Sequence, residues 1–158
     1  MDEIKKILAP ADLSSLSKAG VAYALKIGAS SRDAEVIIYN VITVEETPFP
    51  HAVSGWVDSH LTLPKVKKTL AERQKQLATF VAENFAEFLA RTRIRQDVEI
   101  GVPYKKILEK AARERADMIV MCSHAGTGLL HMLIGSVTDK VLRMAPCPVL
   151  VVPLEKEN

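Results

Sequence analysis

Residues 116–153 constrain the fold of this chain more than any other segment, because they read as strand, loop, helix and strand in succession. Met118-Ile119-Val120-Met121 is apolar without alternation, as a strand covered on both faces should be. The next seven residues, Cys122 to Gly128, are mostly small and let a ligand approach the backbone. Gly135-Ser136 then opens a helix, and the spacing from Ser136 to Asp139 is close to that of a capping box. Val149-Leu150-Val151-Val152 closes the segment as a second buried strand, fenced by Pro146, Pro148 and Pro153. A helix N-terminus aimed at the C-terminal end of a parallel sheet suits an anion, typically a phosphate.

The preceding residues keep the same rhythm. A short strand over 4–11 stops at Pro10 and hands over to Asp12-Leu13-Ser14-Ser15, where Asp or Ser can cap a helix over 15–28. Leu16, Ala19, Tyr23, Ala24 and Ile27 are spaced to share one face of that helix. Glu35 to Ile42 reads as a second buried strand, so the opening is a βαβ unit and the sheet is parallel. Residues 44–64, with three prolines and no stable period, are expected to form a long loop. Phe49, Val53, Trp56 and Leu61 give that loop the character of a lid or an interface element.

An amphipathic helix is predicted from Lys65 to about Arg91, with Leu70, Leu77, Phe80, Val81, Phe85, Phe88 and Leu89 on its apolar side. Gln74 and Asn84 interrupt the seam, which favours packing on the sheet over a coiled coil. Arg93 to Ile100 alternates except at Gln96 and reads as an edge strand with one wet face. Gly101-Val102-Pro103 leads into a helix with Ile107, Leu108 and Ala111 inward. The element order is strand-helix repeated four times and closed by a fifth strand, in one domain over 1–158.

Composition excludes several classes. A net charge of +2 with scattered basic residues gives no footprint for nucleic acid or an anionic membrane. No apolar run approaches the roughly 18 residues of a membrane span, and the acidic start is no signal peptide. Cys122 and Cys147 form no disulfide framework, so a reducing cytoplasm is expected. Cys122, His124 and His131 lack the number and spacing of zinc ligands, and no metal site is expected. The chain has neither a Gly-x-Ser-x-Gly elbow nor a P-loop, and His124 has no evident nucleophile beside it. Cys122 reads as a small core residue before it reads as a reactive thiol. No catalytic residue is assigned.

Four pieces together resemble the universal stress protein family: KKILAPADLS, IIYNVI, ADMIVMCSHAGTG and GSVTDKVLRMAPCPVLVVP. The resemblance covers nearly the whole chain, and the last piece is the most specific. It implies an open, Rossmann-like parallel sheet of five strands in the order 3-2-1-4-5, with helices on both faces and a ligand crevice at the topological switch. It also implies a cytoplasmic homodimer joined through Val149, Leu150, Val151 and Val152, which would cover an apolar edge strand. The implied ligand is ATP or AMP, with Mg²⁺ arriving alongside ATP, in a stress-response regulator that turns ATP over slowly if at all. Carried onto this chain, Pro10, Asp12 and Val41 face the adenine. Met121, Cys122, His124 and Ala125 line the loop, and Gly135, Ser136, Val137 and Thr138 hold phosphate.

Two positions depart from the pattern. Nucleotide-binding members carry Gly, two residues, Gly, nine residues, then Gly-Ser or Gly-Thr, whereas Cys122 and Ala125 stand here in place of the first two glycines. A Cβ at a left-handed backbone position costs about 1–2 kcal/mol, and a Cβ aimed at the phosphates would hold them off the backbone. The alternative is therefore a dimeric interaction module of the same family that binds no nucleotide. Asp12 and Ser136 each have a second reading, as helix caps.

Overall fold

Neighbouring residues within each central strand point to opposite faces of a sheet that is covered on both sides. Ile7, Ala9, Val36, Ile38 and Val120 pack into one apolar layer, and Leu8, Ile37, Tyr39, Ile119 and Met121 into the other. The computed structural model describes residues 3–47, 59–123 and 134–154, without the side chains of 59–63. Its elements are β1 (Lys6–Pro10), α1 (Lys18–Ser30), β2 (Glu35–Ile42), α2 (Ser59–Phe85), β3 (Arg93–Ile100), α3 (Pro103–Glu114), β4 (Met118–Cys122), α4 (Ser136–Met144) and β5 (Val149–Val152). All pairings are parallel, and the strand order is β3-β2-β1-β4-β5. The first layer is roofed by α1 and α2; Ile107 and Ala111 of α3 and Val141 of α4 close the second.

Three local expectations are corrected. On α1 the buried residues are Gly20, Val21, Ala24, Leu25 and Gly28. Leu16 and Tyr23 are 40% and 47% exposed, so of the expected stripe only Ala24 is fully buried. The reason is close approach: an ideal Cβ at Gly28 would lie 2.6 Å from Val36 Cγ2, and one at Gly20 would lie 3.0 Å from Cys122 Sγ. Two glycines, together with Val21, Ala24 and Leu25, mark the side of the helix that meets the sheet.

Second, α2 begins at Ser59, ahead of Pro64, and a short 3₁₀ turn at Val44–Glu46 occupies the start of the expected 44–64 loop. Pro64 withholds one N–H within the first two turns, which the longer helix tolerates. Phe49, Val53 and Trp56 lie outside the described residues. Third, neither expected cap forms on the main helices. Gly135 is the N-cap of α4, without a side-chain cap, and Asp139 pairs with Arg143 at 3.0 Å. Asp12 accepts from the Ser14 N–H at 2.9 Å, a turn of its own rather than a cap on α1.

The expected sheet packing of α2 is present, since Leu77, Phe80, Val81 and Phe85 are buried and the amide of Gln74 donates to the Gln96 carbonyl of β3 at 3.0 Å. The residue that breaks the apolar seam thus satisfies an acceptor on the edge strand. The helix ends at Phe85 and not near Arg91, and Leu89, expected on the apolar side, is 51% exposed.

Candidate functional site

The chain leaves β3 and crosses to β4 on the far side of β1, so the strand order reverses between β1 and β4. A crevice opens where the strand ends diverge. A cleft of about 580 Å³ occupies this place. Pro10 and Asp12 enter it from the end of β1, Val41 from β2, Met121 and Cys122 from β4, and Gly135, Ser136, Val137 and Thr138 from the start of α4. Those are nine of the residues the sequence nominates; His124 and Ala125 lie outside the described residues.

Leu13 holds a left-handed backbone (φ 65°), turning the chain sharply just after Asp12. Asp12 Oδ1 also accepts from the Ser14 hydroxyl at 2.5 Å, which fixes the carboxylate at the rim. On β2 the regular pairing with β1 ends at Tyr39, whose carbonyl accepts from the Ala11 N–H at 2.9 Å. Parallel pairing turns every second peptide the same way, so the N–H and C=O of Val41 also face the end of β1. Among the described residues no backbone group pairs with the Val41 N–H there. Val41 therefore presents a donor and an acceptor side by side.

At the other end, α4 aims its first backbone N–H groups into the cleft, and Gly135 keeps the approach free of a side chain. Thr138 is buried and donates its hydroxyl to the Cys122 carbonyl at 3.2 Å, so its contribution to an anion is its backbone. Cys122 accepts the Gly20 N–H at Sγ, 2.9 Å away, and its thiol is committed to α1. Burial pushes its ionisation up, against the lowering contact from Gly20, which keeps it a protonated thiol.

Sequence reasoning did not find the third wall of the cleft. Asn40, Thr43, Glu46 and Arg73 line it, joined by hydrogen bonds. Arg73 of α2 donates to Asn40 Oδ1 at 3.1 Å and to Glu46 Oε1 at 3.0 Å. Glu46 accepts from the Thr43 N–H at 2.7 Å through its other oxygen. Partial burial raises the Glu46 carboxyl, but Thr43 and Arg73 together hold it below the usual range, so it is a carboxylate at neutral pH. The one available signal was Arg73 beside Gln74 in the middle of an apolar seam. Among the described residues no three His, Cys, Asp or Glu side chains gather as metal ligands, and no helix is long and apolar enough to cross a membrane.

Fold and cleft define a doubly wound α/β protein whose ligand position lies at the switch point. The chain belongs to the universal stress protein family, whose model matches residues 3–153. It is 35% identical over 157 residues to Universal stress protein MJ0531 of Methanocaldococcus jannaschii, covering 98% of this chain and 85% of the relative. The solved structure of MJ0577, a universal stress protein from the same organism, superposes with a TM-score of 0.74 at 26% identity, over 99% of this chain and 100% of that one. A universal stress protein in complex with cAMP matches with a TM-score of 0.60 at 22% identity, covering 96% and 98% of the two chains. An Arabidopsis thaliana family member with AMP bound gives 0.61 at 16% identity, covering 96% and 92%.

Proposed function

We propose that this chain binds an adenine nucleotide, AMP or ATP, in the switch-point cleft and acts as a stress-response regulator with at most slow turnover. The observation that carries the reading is the pairing of two unlike ends in one cleft: an open peptide at Val41 and an open helix N-terminus at Gly135-Ser136. The Val41 N–H suits N1 of adenine, and its C=O suits the 6-amino group. The first turn of α4 suits phosphate. A volume of about 580 Å³ is in the range of small-molecule sites. Family structures holding AMP and cAMP support the same ligand class.

Cys122 does not argue against this, because its thiol serves α1. Mg²⁺ would come with ATP, held largely by phosphate and water. The test is calorimetry with ATP-Mg²⁺ and AMP, together with mass spectrometry of ligand released on denaturation. Ser136→Glu places a carboxylate where phosphate would sit, while an acidic first turn still favours the helix. It is expected to weaken ATP binding at least about thirtyfold, roughly 2 kcal/mol of like-charge conflict. Unchanged affinity in that variant, or no binding by the parent protein, sinks the reading.

A homodimer through β5 accompanies the proposal. β5 is an edge strand whose four residues, Val149 to Val152, are all only half-buried within one chain. An apolar edge of this kind favours a partner. Val151→Lys is expected to give a monomer by light scattering; a monomeric parent, or a dimeric variant, counts against this interface.

A further inference from the structure

We propose that Asn40 and Arg73 are positioning residues that keep the Val41 peptide open for the base of the ligand. The inference rests on the adenine-nucleotide reading only for its last step, the recognition of the base. If the β1–β2 ladder ran one residue further, the Ala11 carbonyl would accept the Val41 N–H, because the Ala11 N–H already donates to Tyr39. The ladder does not run further. Asn40 Nδ2 takes the Ala11 carbonyl at 2.7 Å and so diverts the acceptor nearest to the Val41 donor.

Asn40 is 1% exposed, and its side chain cannot be flipped without loss. Its Oδ1 faces the Arg73 guanidinium, which offers only donors, so its NH₂ must face Ala11. The opposite flip would set donor against donor and carbonyl against carbonyl. Arg73 is held in turn by Glu46, and Glu46 by Thr43, through its N–H at 2.7 Å and its hydroxyl at 3.0 Å. Three elements that are distant in sequence thereby fix one side-chain amide, and that amide diverts one carbonyl. The consequence is a donor beside an acceptor at Val41 that no described backbone group takes up, the pattern that reads a 6-aminopurine and rejects a 6-oxopurine.

The test is amide hydrogen exchange at Val41 by NMR, joined to calorimetry with ATP and inosine triphosphate, which differ only at the base edge. Asn40→Asp keeps an acceptor for Arg73, now as an ion pair, but has no donor for Ala11. The freed carbonyl then pairs with the Val41 N–H, and exchange there slows at least about tenfold. The preference for ATP over inosine triphosphate shrinks by about tenfold, the worth of one hydrogen bond in a closed site. Arg73→Met releases the orientation of Asn40 along with the pair to Glu46, and shifts both readouts the same way by a smaller amount. A Val41 amide already protected in the unliganded parent protein overturns the proposal, as does unchanged exchange in both variants, or unchanged base preference where ATP binds. The expected exchange behaviour in a protein that binds neither nucleotide upholds the positioning role and overturns the adenine reading.

Discussion

Gly28→Leu is expected to lower the urea midpoint of the protein sharply, by more than any surface substitution on the same helix. Gly28 sits on the sheet-facing side of α1, and even a single Cβ there meets Val36 Cγ2 at 2.6 Å and Thr92 Cγ2 at 3.0 Å. Val36 cannot move aside, since it is β-branched, fully buried, and fixed in register with Ile7 and Ile94 on its two sides. One surplus methylene in a well-packed core costs about 1–3 kcal/mol, and leucine brings four carbons. The expected loss is about 4 kcal/mol or more, against a total stability of about 5–15 kcal/mol for a domain of this kind. Gly28→Ala separates the terms: it gains about 1 kcal/mol of helix propensity and still loses on balance. Urea denaturation of both variants, with exposed Lys26→Ala on the same helix as a neutral control, measures the difference. A Gly28→Leu protein that unfolds at the parent's midpoint would mean that α1 does not lie as close to β2 as described.

This glycine also shows where the sequence was legible and where it was not. β2 and β5 have the bounds that their apolar runs imply, and β3 the bounds that its alternation and flanking turn residues imply, because each kind of strand leaves its own periodic signature. The buried side of α1 runs through Gly20, Val21, Ala24, Leu25 and Gly28 and not through the expected stripe, because glycines carry no apolar signal although they mark the closest contacts with the sheet. The start of α2 is hidden in the sequence because Pro64 signals a boundary, yet the helix runs through it. In the cleft, residues on the ends of β1, β2 and β4 and the start of α4 were nominated from local motifs, and they line it. Arg73 and Glu46 were not nominated, for a physical reason. Their role depends on a meeting between the middle of a helix and a turn 27 residues earlier, and no local pattern encodes that meeting. Asn40 was passed over inside an apolar strand, although a buried amide there demands partners.

Asp97→Leu is expected to cost about 3 kcal/mol, more than Lys110→Met, although each removes the same ion pair. Lys110 of α3 is buried, with 7% of its side chain exposed. Its Nζ lies 2.6 Å from Asp97 Oδ2, 3.4 Å from Glu114 Oε1 and 5.4 Å from the centre of the Tyr39 ring. Without Asp97 the ammonium stays buried with one long contact to Glu114. Without Lys110 both carboxylates keep Arg95, whose guanidinium reaches Asp97 at 3.1 Å and Glu114 at 2.5 Å. The asymmetry follows from which charge is stranded, and the double variant is expected to recover part of the loss, since two apolar side chains strand none.

The same network makes stability depend on acid. The Arg95 guanidinium, 2.5 Å away, holds the Glu114 carboxyl down at about 2, from an ordinary 4.5, against the opposing effect of burial. A depressed carboxyl stabilises the fold fully above its unfolded value, and that stabilisation is lost as the pH falls from about 4.5 toward 2. Glu99, raised by burial but drawn down further by Tyr39 and Arg113, loses its contribution in the same direction. Urea midpoints across the acid range are therefore expected to fall for the parent protein and to fall less for Glu114→Gln, which has no proton to take up. Equal slopes for the two proteins, or equal costs for Asp97→Leu and Lys110→Met, would show that the charges beneath β3 act as solvated surface pairs and not as a buried network.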